Sequence, residues 1–300
     1  MDDITVNDHT VEITHPDKVI YPEDKIKKAD IIAYYDKIAE IMLPHIKDRA
    51  LSLQRFPNGI DKSAFFQKNA PDHYPEWIET VKIKNKSTDG YTNYAVCNNK
   101  ETLLYLGNQL SLVQHIWLSK CNAPNNPDMM VFDLDPSGDN FDDVKSAAKI
   151  IRKFIQNNSE LVTYLKTSGS RGLHIVIPLD VKKGFEYVKN IADNIAEVLA
   201  TKFPDLFTVE TYKKDRGNKV YIDTARNAFG QTIVAPFSLR AIEGAPVSTP
   251  LDWDELSELD SAQKYGLKNI FRRLSRKKDP WADIYANKQS LNEIEKELNV

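Results

Sequence analysis

The stretch MMVFDLDPSGDN, residues 129–140, reads as an apolar strand interrupted by two aspartates one residue apart. Side chains alternate along a strand, so Asp133 and Asp135 share a face with Val131, while Phe132 and Leu134 face a core. Two carboxylates a few ångströms apart repel, and one pKa rises unless a cation neutralises the pair. Oxygen-only ligands suit magnesium or manganese, which keep waters and meet substrate phosphates through few carboxylates. The structural alternative is that Asp135-Pro136 opens a turn and Asp133 caps a neighbour.

Two further stretches weigh toward the metal. KTSGSRGLHIVIPL, residues 166–179, places a Ser-Gly-Ser-Arg-Gly turn between two strands. Its glycines allow close approach, its hydroxyls donate hydrogen bonds, and Arg171 can fork onto phosphate, so the turn reads as an anion cradle. His174 lies on the face opposite Leu173, Ile175 and Ile177. The bland reading is a polar hairpin with a core histidine. NKVYIDTARN, residues 218–227, is again an apolar strand with a carboxylate, Asp223, at its end, on the face of Tyr221. Three aspartates at strand ends beside a basic turn match what two-metal phosphoryl or nucleotidyl transfer requires.

Around these motifs, apolar spacing predicts helices over 28–46, 102–118, 141–156 and 185–202, the third capped by Asp139 or Asn140. Strands are expected at ALSLQRF (50–56), 161–166, 173–179, 207–211, 219–223 and 231–237. Helices interrupt the strands irregularly, so the fold class is α+β, with a mixed or antiparallel sheet flanked by helices. Residues 82–93 read as a loop or hairpin tip. The proline- and asparagine-rich KCNAPNNPD (120–128) suggests a division into an amino-terminal α/β module, 1–125, and a catalytic sheet module, 126–300, packed together as one domain.

The chain has 300 residues, 41% hydrophobic and 28% charged, enough for a sizeable core. No apolar stretch reaches the roughly 20 residues of a membrane helix, and the start is acidic and polar, so a cytoplasmic protein is expected. Cys97 and Cys121 form no CxxC and are expected to be buried, reduced thiols. The net charge of −3 argues weakly against a nucleic-acid partner. Yet lysines and arginines cluster at 25–28, 82–86, 213–219 and 272–278, and screening limits each charge to about 10 Å, so a cationic groove is compatible with an acidic total.

The motifs VFDLDP, SGSRGLH and VYIDTARNAFGQTIVAPFSLRA together resemble the polymerase domain of bacterial LigD, in the archaeo-eukaryotic primase superfamily. HPDKVIYP, YYDKIAEIMLPHI, QRFPNG and APVSTPLDWDEL extend the resemblance to about residue 256. It implies a primase-polymerase core in which Asp133, Asp135 and Asp223 hold two divalent cations, manganese or magnesium, and a nucleoside triphosphate is the substrate, with ribonucleotides preferred. By position, Ser168, Arg171, His174, His115, Arg216 and Arg240 resemble the family's contacts to the incoming triphosphate. Lys18 and Lys28 match lysines that hold a downstream 5′-phosphate; Phe65 and Phe66 match aromatics against template bases, with Arg55 beside them. On the residues alone, adjacent phenylalanines on an extended segment cannot both enter one core, so one is expected to emerge, consistent with base stacking. Core is nonetheless the default reading for both and for His115, the latter on an apolar helix. Residue 171 is arginine where many relatives carry lysine, and residues 54 and 242 are glutamine and isoleucine where basic side chains are expected.

The implied function is gap filling and primer extension in non-homologous end joining of double-strand breaks. Its partners would be DNA with a recessed 5′-phosphate, gaps or 3′ overhangs, with Ku and a separate DNA ligase, in a nucleoid-associated protein that is largely monomeric and pairs on DNA ends. With no KxDG ligase motif in the chain, a stand-alone polymerase or an excised domain is expected. The competing readings are a stand-alone or replication-associated primase-polymerase, a non-catalytic DNA-end bridging protein, and a metal-dependent phosphohydrolase.

Overall fold

The strand Met129–Pro136 lies inside a six-stranded sheet, flanked by Val220–Asp223 on one side and Leu173–Pro178 on the other. Phe207–Thr208 lies outside the first neighbour, and Tyr164–Thr167 then Pro250–Leu251 outside the second. Every pairing is antiparallel except that of Phe207–Thr208 with Val220–Asp223, so the sheet is mixed. These relations come from a computed structural model, which describes residues 3–86 and 88–298. The chain divides into two units: residues 1–117, 232–248 and 265–276 form one, and 118–231, 249–264 and 277–300 the other.

In the second unit, the central strand is buried along its apolar length, from Met129 to Phe132 and at Leu134. An apolar face of that kind needs cover, and the helices Phe141–Asn158 and Phe185–Lys202 supply it by packing on the strand. Their buried residues recur at helical spacing, Val144, Ala147, Ala148, Ile151 and Ile155 in the first. Asn140 starts that helix, its side-chain oxygen accepting from the Asp142 N–H at 3.1 Å, with Asp142 and Asp143 at the positive end of the dipole. The outer strands are shorter than the sequence suggests, because residues 209–219 leave the sheet through a short 3-10 turn, Lys213–Asp215.

The first unit carries the sheet order Thr232–Val234, Ser111–Trp117, Ala50–Arg55, Tyr91–Val96, Thr80–Lys84, with Phe65–Gln67 also paired to Ala50–Arg55. The helix Lys28–Ile46 buries Ile31, Tyr35, Ile38 and Met42, the residues whose spacing announces it. It packs on the helix Lys100–Asn108, where Gly107 leaves room for Tyr35: a Cβ there would meet the ring at 2.9 Å. The expected helix over 102–118 is therefore corrected. It stops at Asn108, Leu110 takes a left-handed φ of 56°, and Ser111–Trp117 continues as a strand paired on both sides. Two ladders of hydrogen bonds outweigh the weak helical preference of LSLVQHIW. The lysine-bearing segment is a hairpin, with Lys84 opposite Tyr91; Ser87, within the expected loop at 82–93, lies outside the described residues. Cys97 is buried as expected, Cys121 only half-buried, and neither is in a disulfide.

Candidate active site

Antiparallel register places directly opposed residues on one face. Asp133 is opposite Asp223 on one neighbouring strand and His174 on the other, while Asp135 is opposite Tyr221. The three carboxylates thus meet on the face away from Phe132 and Leu134, with ligand oxygens all within 4.8 Å of one another. His174 Nε2 lies 3.2 Å from Asp133 Oδ1. Arg226 Nε lies 3.5 Å from Asp133 Oδ2 and 3.3 Å from Asp223 Oδ2. Asp223 also accepts from the Ala225 N–H at 2.9 Å, which fixes the start of the turn carrying Arg226.

Burial pushes each carboxyl toward its neutral form, and the neighbours then separate the three. At Asp133 the charge and hydrogen bond of His174, with Arg226 and Lys166, outweigh burial and hold the carboxyl well below its usual range. Asp135 is pushed up to about 6 by burial and by the charges of Asp133 and Asp223. Burial also raises Asp223, against Arg226 and with Asp133. An all-oxygen cluster that resists full ionisation without a cation fits a hard divalent metal. Manganese binding to the DNA-free protein should therefore weaken by up to about tenfold per pH unit below about 6, because the metal must displace the Asp135 proton. Calorimetric titrations at pH 7 and pH 5 check this, and equal affinities would contradict it.

The basic turn abuts this cluster. Ser168 Oγ accepts from the N–H groups of Ser170 and Gly172 at 3.2 and 3.1 Å, so the hydroxyl organises the turn. Gly172 is pressed on the central strand: a Cβ there would lie 2.0 Å from the Leu134 carbonyl oxygen. Arg171 donates to the Gly138 carbonyl at 2.8 Å and is half-exposed over a polar cleft lined by Gly138, Ser170, Ser261 and Gln263. Arg216 is anchored through the carbonyls of Glu210 and Thr211 and stacks 3.7 Å over Tyr221, the residue opposite Asp135. The second unit thus holds Asp133, Asp135, Asp223, Ser168, Arg171, His174 and Arg216.

The remaining sequence candidates lie in the first unit. The Lys28 N–H donates to the Lys18 carbonyl, and its buried Nζ donates to Thr14 Oγ1 at 2.9 Å. Burial, then the charge of Lys18, depresses Lys28 to about 8. Lys18 Nζ reaches the Pro57 carbonyl and Asn58. The core reading of the phenylalanines is overturned: Phe65 and Phe66 are 46% and 57% exposed on a three-residue strand with a partner on one side only. Arg55 stacks on Phe65 and is held by Gln67 and Gln109. His115 lies on the strand rather than on a helix, half-buried, its ring 5.7 Å from that of Phe66. Arg240 is half-buried, its carbonyl accepting from Tyr21.

Sequence reasoning missed Arg226, although its place three residues after Asp223 was a usable signal, and Lys166, which is opposite His174 and fully buried. It also missed Asn227, whose buried amide exchanges hydrogen bonds with the Val131 backbone at 2.8 and 2.7 Å and pins the turn to the central strand.

Comparisons with known proteins bear on the fold and the family. The chain is similar to the bifunctional non-homologous end joining protein LigD of Bacillus subtilis, 32% identical over 93% of this chain and 45% of that protein. It is 35% identical to the multifunctional non-homologous end joining protein LigD of Mycolicibacterium smegmatis over 83% of this chain and 32% of that one. It spans less than half the length of either relative. Its fold superposes on the polymerase domain from Mycobacterium tuberculosis ligase D in complex with DNA with a TM-score of 0.85, at 30% identity, covering 93% of this chain and 99% of that one. Residues 27–281 match the family described as LigD, primase-polymerase domain, and the chain belongs to that family of nucleotidyltransferases.

Proposed function

We propose that the chain extends DNA primer ends and fills short gaps in end-joining repair, guided by a downstream 5′-phosphate. The observation that carries this reading is the assembly of Asp133, Asp135 and Asp223 within 4.8 Å beside a glycine-tight basic turn. Two divalent cations, manganese or magnesium, bound by those aspartates would lower the pKa of the attacking 3′-hydroxyl and steady the leaving pyrophosphate. Asp133 accepts from His174, so the histidine aims a carboxylate rather than acting as a free base. Arg171, half-exposed, offers its guanidinium to a triphosphate, and Arg216, whose Nε and Nη2 are held by the Glu210 and Thr211 carbonyls, adds fixed positive charge near Asp135. Ser168 keeps the turn in shape for it. His115 and Arg240 take the nucleotide contacts, and Arg55, Phe65 and Phe66 the template contacts, that the family resemblance implies. Both rings are exposed, as stacking on bases needs.

The pair Lys18 and Lys28 favours gap recognition over unprimed synthesis. A buried lysine whose charged neighbour is another lysine is destabilised in the free protein and relieved by a phosphate dianion. Only protonated Lys28 serves that purpose. It is protonated below about pH 8 and neutral above, so the benefit of a 5′-phosphate should shrink as pH rises from 7.5 to 9.5, by up to about tenfold per unit.

The test is extension of a labelled primer across a short gap, with and without the downstream 5′-phosphate, with ribo- or deoxyribonucleotides and manganese or magnesium, over that pH range. Metal-dependent extension, stimulated by the phosphate more at pH 7.5 than at 9.5, is the expected result. Extension indifferent to the phosphate would favour a primase-like role, and DNA binding without extension would leave an end-bridging protein.

A further inference from the structure

We propose that Arg226 is a built-in counter-cation that occupies the metal-facing carboxylate oxygens in the DNA-free protein and must yield them before divalent metal binds, so that it sets the metal threshold of the enzyme. The inference rests on the metal-site reading above and adds a competitor to it.

The geometry is specific. Asp133 has both oxygens engaged, Oδ1 by His174 and Oδ2 by Arg226. The same Nε also lies against Asp223 Oδ2, so the guanidinium bridges two strands. A cation shared by Asp133 and Asp223 would need the oxygens that Arg226 holds. Permanent arginine charge suits that post, since it cannot be titrated away. Asp133, Asp223 and Asp135, in that order, all favour its charged form over the opposing effect of burial.

The side chain is also placed to leave. Its backbone sits in the short turn Ala225–Asn227, locked by the Asn227 bonds to Val131 and by the Asp223 bond to Ala225. The Arg226 side chain is 38% exposed, while the carboxylates it touches are 11% and 12% exposed. Release of the guanidinium therefore needs only rotation of a side chain that already borders solvent, with no movement of the sheet. Three acidic groups crowded on one face repel without it, so the contact keeps the cluster assembled before metal arrives.

The experiment is calorimetric titration of manganese into the DNA-free protein, comparing wild type, Arg226→Gln and Arg226→Lys, with melting temperatures read with and without metal. Arg226→Gln should bind manganese about tenfold or more tightly than wild type. Its metal-free form should melt lower and gain more on adding manganese, and Arg226→Lys should fall between. Affinity in Arg226→Gln equal to or weaker than wild type, with wild type binding normally, would overturn the competition alone. Failure of every variant to bind metal would overturn the metal-site reading itself, and this inference with it. Wild type carries its own check, should the variants fold poorly: magnesium titration followed by the Arg226 Nε–H resonance must shift that signal in step with binding, and an unmoved signal refutes the proposal.

Discussion

Asp133→Asn will lower the rate of nucleotide addition by on the order of 10³ or more while leaving the protein folded. The substitution keeps the shape of the side chain in a site where it is nearly buried, so packing changes little. It removes the one carboxylate that is held fully ionised against its burial, and with it the partner shared by His174 and Arg226. Catalysis of phosphoryl transfer is mostly positioning and charge neutralisation, so losing the carboxylate that faces both Asp223 and His174 should affect the chemical step far more than DNA binding. Single-turnover primer extension under saturating DNA, with circular dichroism as the folding control, measures this. A variant within about tenfold of wild type would remove Asp133 from the catalytic centre.

The parts of this site that were legible in the sequence are those set by strand periodicity. Alternation in VFDLDP and VYID put the aspartates on faces away from the core, and antiparallel register then made those faces one. Register itself is not written locally, so the sequence could not tell that Asp133 faces both Asp223 and His174. The strand Ser111–Trp117 was misread because its apolar residues also satisfy helical spacing over a short window, and the left-handed Leu110 that ends the preceding helix has no residue signature. Phe65 and Phe66 misled for a different reason: large apolar side chains are usually buried, and these two stand exposed on a short strand. Arg226 lies on a turn, where strand alternation says nothing, so only its spacing of three from Asp223 marked it.

Gly172→Ala will both destabilise the protein and disable it, and the two losses share one cause. The new Cβ would lie 2.0 Å from the Leu134 carbonyl oxygen and 3.0 Å from its carbon, and these are backbone atoms that no rotamer change can move aside. The turn must retreat, straining the Ser168 bonds to Gly172 and the pairing of Leu173 with Leu134. Overpacking of this kind costs about 3 kcal/mol, or a fall in melting temperature of about 5 °C for a chain of this length. Asp135 follows Leu134 directly and has its Oδ1 3.6 Å from the same point, so a shift of about 1 Å there should also cost about 10²-fold in rate. Gly217→Ala is the informative control. Gly217 has a left-handed φ of 58° but nothing within 4 Å of its added Cβ, so only backbone strain of about 1 kcal/mol applies. If Gly172→Ala behaves like Gly217→Ala in both melting and single-turnover rate, the contact between turn and strand does not position the site. If it loses far more in both, the glycine in SGSRG is there to let the basic turn touch the strand that carries the aspartates.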